Sequence, residues 1–313
     1  MSTATPVAPA RGQTPPARRP ISDLPPLLTL KLGEKADWAA IVEDGVWIGA
    51  VGPNAVHKLS PSGELMASVA LPGKPLAGLA LGFGALWAPL CGDAPALAKI
   101  DLATERLVGA FPLPFVSPEG GVATGAGGVW LFTDDEGTLV RIDPETGAIA
   151  QKIAAPPGCY NPIYSDGLIW ASQAIGAQIG VIDPARGACI ATIPTPAGPR
   201  FIAAGHGSIF TLNQGDGSLT RIDAQSKITL STTMLDTPGD GGDIAIAEGI
   251  VWTSVRGVPL SATDARTGAL LQQWEGVGGD SLGVGHGAIW LIYCRGGEVS
   301  RLDLETALLQ CRT

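Results

Sequence analysis

Four carboxylates and two guanidiniums recur at corresponding places along this chain, and together they outline an acid–base or ion-binding site. Asp37, Glu119, Asp243 and Asp280 stand nine to eleven residues ahead of a repeated aromatic, Arg200 falls in the same zone, and Arg256 stands four residues after one, where a second strand ends on the same rim. Carboxylates around a shared opening can hold a hard cation such as Ca²⁺ or Mg²⁺, which takes oxygen ligands. A carboxylate whose pKa is raised by its neighbours can serve as a general base, with Tyr160 or Tyr293 as the acid. An Arg can steady an oxygen on which charge develops, so Arg200 is placed with Tyr160 as a substrate-orienting pair. Trp38, Asn161, Phe201, Asn213, Arg256 and Tyr293 complete the candidate ligand contacts. Arg–carboxylate pairs that satisfy only each other are the competing reading.

These residues need a scaffold that brings distant segments to one rim, and the chain carries one. A Gly-x-apolar-aromatic unit ends at Trp47, Trp87, Trp130, Trp170, Phe210, Trp252 and Trp290, at spacings of 40, 43, 40, 40, 42 and 38 residues. A second signal follows each: Lys99-Ile100-Asp101, Arg141-Ile142-Asp143, Arg221-Ile222-Asp223 and Arg301-Leu302-Asp303 are examples. Turn residues come next, as in Asp143-Pro144-Glu145-Thr146-Gly147, where Asp accepts a backbone N–H, Pro presets φ and Gly tolerates positive φ. Each period therefore parses into four short strands; the fifth gives strands at 201–205, 208–213, 218–222 and near 227–233. Four antiparallel strands at this period make a propeller blade, with the aromatic filling the wedge between blades. Seven anchors predict an all-β, seven-bladed β-propeller over 27–313, preceded by a disordered Pro-rich tail over 1–26.

Segment 27–32 aligns with a fourth strand and precedes the first blade, so it can close the ring from the N-terminal side. Segment 307–311 also has the look of a fourth strand, and the two compete for the last blade. In either case the loops from the fourth strand to the next first strand, and from second to third strand, gather at one mouth of the tunnel, where a small-molecule ligand is expected. The rim residues differ in every blade whereas the turn aspartates repeat, so specific function is assigned to the rim.

The Trp and Arg-Ile-Asp pattern with its Thr-Gly turn resembles the streptogramin lyase-like and YVTN-type propeller superfamily. The resemblance spans about 27–313 and implies the seven-bladed fold, with ring-opening elimination of cyclic peptides, lactone hydrolysis or non-catalytic binding as its range of functions. Streptogramin lyases employ histidine and glutamate with a divalent metal at the funnel. Here His206 and His286 fall in turns on the opposite rim and His57 on a third strand, so no lyase residue is carried over. The expected function is a small-molecule-binding propeller acting as lyase or hydrolase, with a non-catalytic ligand- or protein-binding propeller as the alternative.

Composition sets further bounds. A net charge of −9 argues against nucleic acid, whose phosphates call for a basic stripe. Five cysteines without C-x-x-C spacing read as reduced thiols, and nucleophilic catalysis by Cys91 or Cys294 lacks a nearby base. Residues 1–25 have no apolar signal-peptide core, and 76–91 is too short for a membrane span and is broken by Gly82-Phe83-Gly84. A soluble, cytoplasmic protein is expected, with the periplasm as the alternative compartment; the sequence leaves the oligomeric state open, a monomer included.

Overall fold

The computed structural model describes residues 16–312. Seven antiparallel sheets follow one another around an axis, each with strands A to D from the inside outwards. Blade 5 is representative: Pro199–Gly205, Ser208–Asn213, Ser218–Asp223 and Thr229–Met234 pair in that order, within two residues of the sequence-based bounds. The A–B turns obey the glycine signal. In blade 2, strand A (Ala80–Gly82) passes to strand B (Ala85–Leu90) through Phe83 at φ 54° and Gly84 at φ 71°. That tight primed turn matches the strand twist and breaks the apolar run that resembles a membrane segment. No helix among the described residues is long and apolar enough to cross a membrane.

The aromatic repeat does what its spacing requires. Trp47, Trp87, Trp130, Trp170, Phe210, Trp252 and Trp290 are all fully buried. Each lies in the core shared with the following blade: Trp47 against Leu86, Trp130 against Ile169, Trp252 against Ile289. Trp290 packs against Val46 and Ile48 of blade 1 and so completes the circle. Truncating one such aromatic costs about 3–5 kcal/mol.

A second repeating device fastens the lower rim. In blades 1, 2 and 7 the basic residue before the turn lies over the tryptophan of its own blade, as Lys99 does over Trp87 at 5.5 Å. Its charged end reaches the turn of the next blade: Lys99 Nζ donates to Pro144 O at 2.7 Å, Arg301 Nε to Pro61 O at 2.8 Å, and Arg221 to Arg266 O. Lys58 binds Asp44 and Glu105 instead, both at 2.6 Å.

The ring is closed by the N-terminal side. Leu28–Lys31 is strand D of blade 7, antiparallel to Glu298–Asp303. The competing C-terminal strand is not formed. Leu304–Gln310 is an α-helix capped by Asp303, which accepts from Thr306 N at 2.8 Å. Its Leu304 and Ala307 enter the core between blades 6 and 7.

Of the expected tail, residues 1–15 lie outside the described residues, and 16–26 lie against blade 6. Arg19–Pro20 pairs in parallel with Trp274–Glu275 on the outer edge of that blade, and Leu24 is 2% exposed. Arg18 donates to Asp236 O at 2.7 Å and approaches Glu275 at 3.9 Å. The apolar side chains of Ile21 and Leu24 pack with Trp252 and Trp274, burial that a Pro-rich composition does not advertise.

Candidate functional site

Strand A is the inner edge of every blade, so the seven A strands line the tunnel, and their starting residues ring its mouth. A cavity of about 320 Å³ runs between them, bounded by Ile41, Leu79, Val122, Ile163, Ile202 and Ile244 among others. At its mouth end two aromatic rings meet. Trp38 of blade 1 and Phe201 of blade 5 stand 5.8 Å apart between ring centroids, tilted by 54°. Trp38 reaches this position through a bulge between Asp37 and Ala39 and a left-handed backbone, φ 56°. Such a conformation costs a non-glycine residue of order 1–3 kcal/mol and persists only where packing enforces it.

The carboxylates are near neighbours in this mouth, and burial dominates each of them. Asp243 is 7% exposed and its carboxyl is pushed up to about 6 by burial, against the hydrogen bonds it accepts. Those come from Ser281 Oγ at 2.7 Å, Leu282 N at 3.2 Å and Ile244 N at 2.7 Å. Asp37 is raised well above the usual carboxylate range by burial and then by the charges of Asp280, Asp243 and Glu119. Asp280 is raised by burial although Arg256 pairs with it at 3.3 Å. Glu119, at the open rim, is raised by burial against the pull of Arg200 and Arg256. The Arg200 guanidinium lies over the Tyr160 ring at 5.7 Å, and burial raises the Tyr160 phenol.

Many of these groups also fasten blade to blade. Trp38 N donates to Ser281 Oγ at 3.1 Å, which in turn donates to Asp243, so blades 1, 7 and 6 are tied in one chain of bonds. Asn161 Nδ2 and Ser172 Oγ donate to Arg200 O at 3.2 and 2.7 Å, tying blade 4 to 5. Gln214 Nε2 donates to Gly241 O at 2.7 Å, tying 5 to 6. Gly121 N to Tyr160 O at 3.1 Å and Gly78 N to Gly120 O at 2.8 Å continue the belt.

The structure thus gathers Asp37, Trp38, Glu119, Tyr160, Asn161, Arg200, Phe201, Asp243, Arg256 and Asp280 at one mouth. Tyr293 lies beside it, its ring against the backbone of Gly296 in the loop Cys294–Gly296. Asn213 does not join them: it is fully buried in its own blade, donating to Ser218 Oγ at 3.0 Å and Thr220 Oγ1 at 2.8 Å. Ser172 and Ser254 were not singled out by spacing, yet Ser254 Oγ accepts from Asp280 N at 3.1 Å. Their signal is a hydroxyl near the end of strand B where blades 1 and 2 have Gly49 and Pro89.

Among the described residues no three His, Cys, Asp or Glu side chains converge as ligands for one metal ion. The carboxylates repel one another through space but do not form a cage. Cys294 is pushed up to about 12 by burial and by Asp37 and Asp280, and Cys91 to about 11 by burial, so both are thiols at neutral pH. The turn histidines His206 and His286 keep to the lower rim, where His286 Nε2 contacts Val42 O at 2.8 Å, and His57 lies on a third strand, Ala55–Leu59.

No protein-family model matches the chain, and no curated protein matches it. Its fold has solved counterparts. BamB from Moraxella catarrhalis superposes with a TM-score of 0.62 over 90% of this chain and 99% of the other, at 12% identity. At that identity the likeness is one of fold.

Proposed function

We propose that this propeller is a non-catalytic, protein-binding module that receives a basic segment of its partner at the acidic mouth. The observation that carries the reading is the electrostatic state of Asp37, raised by burial and by three further carboxylates around the same opening. A partner ammonium or guanidinium placed there relieves that repulsion, and charge complementarity of this kind fixes register and speeds encounter. The candidate bases favour binding over catalysis. Asp243 is saturated with hydrogen bonds, Asp280 is paired with Arg256, and Trp38 and Phe201 narrow the way into the tunnel. Propellers that bind proteins are one outcome the sequence resemblance allows.

The test is fluorescence polarisation with a labelled Arg-Gly-Arg-Gly-Arg peptide and its Glu counterpart. Binding of the first alone, weakened by Glu119→Gln and Asp280→Asn, supports the reading; equal binding of both, or of neither, overturns it. The small-molecule lyase or hydrolase reading, with its streptogramin lyase-like and YVTN-type affinity, keeps one supporting feature: a buried carboxyl raised as Asp37 is could act as a general acid. Turnover of a lactone or cyclic depsipeptide, abolished by Asp37→Asn, would favour it.

A further inference from the structure

The most exposed large apolar side chains among the described residues are Ile175, at 95%, and Val277, at 90%; the next stand near 60%, on outer strands or directly before them. Both belong to the mouth face. Ile175 is in the B–C loop of blade 4, between Leu168–Gln173 and Gln178–Asp183, and Val277 is in the loop from blade 6 to blade 7, between Leu270–Glu275 and Ser281–Gly285. The corresponding B–C loops of other blades carry Gly-Pro-Asn at 52–54, Gly-Asp at 92–93 and Asp-Asp-Glu at 134–136.

The Val277 loop is built to hold its side chain outward. Gly276, Gly278 and Gly279 adopt φ of 142°, 116° and 86°. Gly276 N donates to Gly257 O at 3.0 Å and Gly257 N to Gly278 O at 3.2 Å, which pins the loop to the turn beside Arg256. A Cβ at Gly279 would sit 2.2 Å from Val255 O, so the loop cannot gain a side chain there and keep its place. The valine is therefore presented next to the Arg256–Asp280 pair, in continuity with the mouth. A lone surface apolar residue is ordinary. Two of them, water-exposed on the one face that also concentrates buried carboxylates, are the makings of anchors around a charged centre.

We infer that Ile175 and Val277 are the apolar anchors of a protein-docking face, and that the partner presents a basic residue flanked by apolar ones. The inference rests on the binding role given to the mouth above. A protein fits better than a lipid surface, because the net charge of −9 and the acidic mouth repel anionic headgroups.

A phage-displayed library of random dodecapeptides, selected on the intact protein, tests it. Enriched peptides are expected to combine Arg or Lys with large apolar residues. Their affinity should fall about tenfold, or 1.4 kcal/mol, for the Ile175→Ser, Val277→Ser double variant, and remain unchanged for Val108→Ser on the outer edge. Peptides that depend on Glu119 and Asp280 but are indifferent to the double variant would overturn the anchors while sparing the acidic-mouth reading. Selection of acidic peptides, or of none, would overturn both. Thermal unfolding of the double variant should match the parent, since neither side chain is packed.

Discussion

Trp38 and Phe201, from blades three places apart around the ring, meet as tilted aromatic rings 5.8 Å apart between centroids. The contact is made by a tryptophan in left-handed backbone, a conformation in which glycine is at home and alanine is strained by roughly 1–2 kcal/mol. The usual ranking of truncations should therefore invert at this position. Trp38→Gly should be at least as stable as Trp38→Ala by urea unfolding, both below the parent. An alanine variant clearly more stable than the glycine one would mean that the backbone is not held as described.

The pH dependence of stability should show Asp243. Its carboxyl rises from 3.8 to about 6 on folding, so the native state holds its proton more tightly than the unfolded chain. Its contribution favours the fold at low pH and is lost as pH rises from about 4 through 6, by about 3 kcal/mol. Asp37, Asp280 and Glu119 act in the same direction. The turn aspartates such as Asp143, lowered by their Thr hydrogen bonds, act in the opposite one. Asp243→Asn isolates the single group: its stability relative to the parent should improve by about that amount between pH 4 and pH 7. Parallel profiles would remove the assignment.

Binding should follow the same protons with opposite consequence. As pH falls through about 6 Asp243 gains its proton, and the upward shifts of Asp37, Asp280 and Glu119 draw protons to the mouth as well, so it loses negative charge. A tri-arginine peptide should bind about tenfold more weakly at pH 5 than at pH 7.5, the loss of roughly one close charge pair. An affinity that stays flat or tightens on acidification would count against the acidic mouth as receptor.

The segment on blade 6 should contribute to stability well beyond its length. Leu24→Ala removes a buried side chain from the core it shares with Trp252 and Trp274 and should cost about 2–5 kcal/mol. Removal of residues 1–26 should lower the unfolding temperature while leaving seven sheets. Removal through Lys31 takes away strand D of blade 7 and should abolish cooperative unfolding. A chain lacking 1–31 that melts like the parent would deny the closure.

The seven aromatics and the turn aspartates made the blades legible because each repeats for a reason that acts within forty residues. The C-terminal helix was misread for want of one residue. Asp303 and Thr306 make the same contact as Asp143 with Thr146 and Asp264 with Thr267. After those threonines come Gly147 and Gly268 at positive φ, which turn the chain into a strand. After Thr306 come Ala307, Leu308 and Leu309, good helix formers with no glycine to turn, and the chain winds on instead. At the mouth, spacing located the rim residues but not their partners. The bonds from Ser281 to Asp243 and from Asn161 to Arg200 O cross between blades, and which neighbour meets which depends on closure of the ring rather than on the repeat. Asn213 was misplaced for a related reason: the last residue of a strand can aim along the mouth or across its own sheet, and Ser218 and Thr220 draw it across.

The strand that completes blade 7 has a consequence in time. Thr29 and Ser300, which meet at 3.2 Å, are 271 residues apart in the chain. On the ribosome the strand from Leu28 to Lys31 is made long before its partner, Glu298–Asp303. Throughout that interval the nascent protein is an open horseshoe, with Val46 and Ile48 of blade 1 waiting for a tryptophan not yet synthesised. Its exposure to aggregation is set by the pace of translation as much as by the stability of the finished ring.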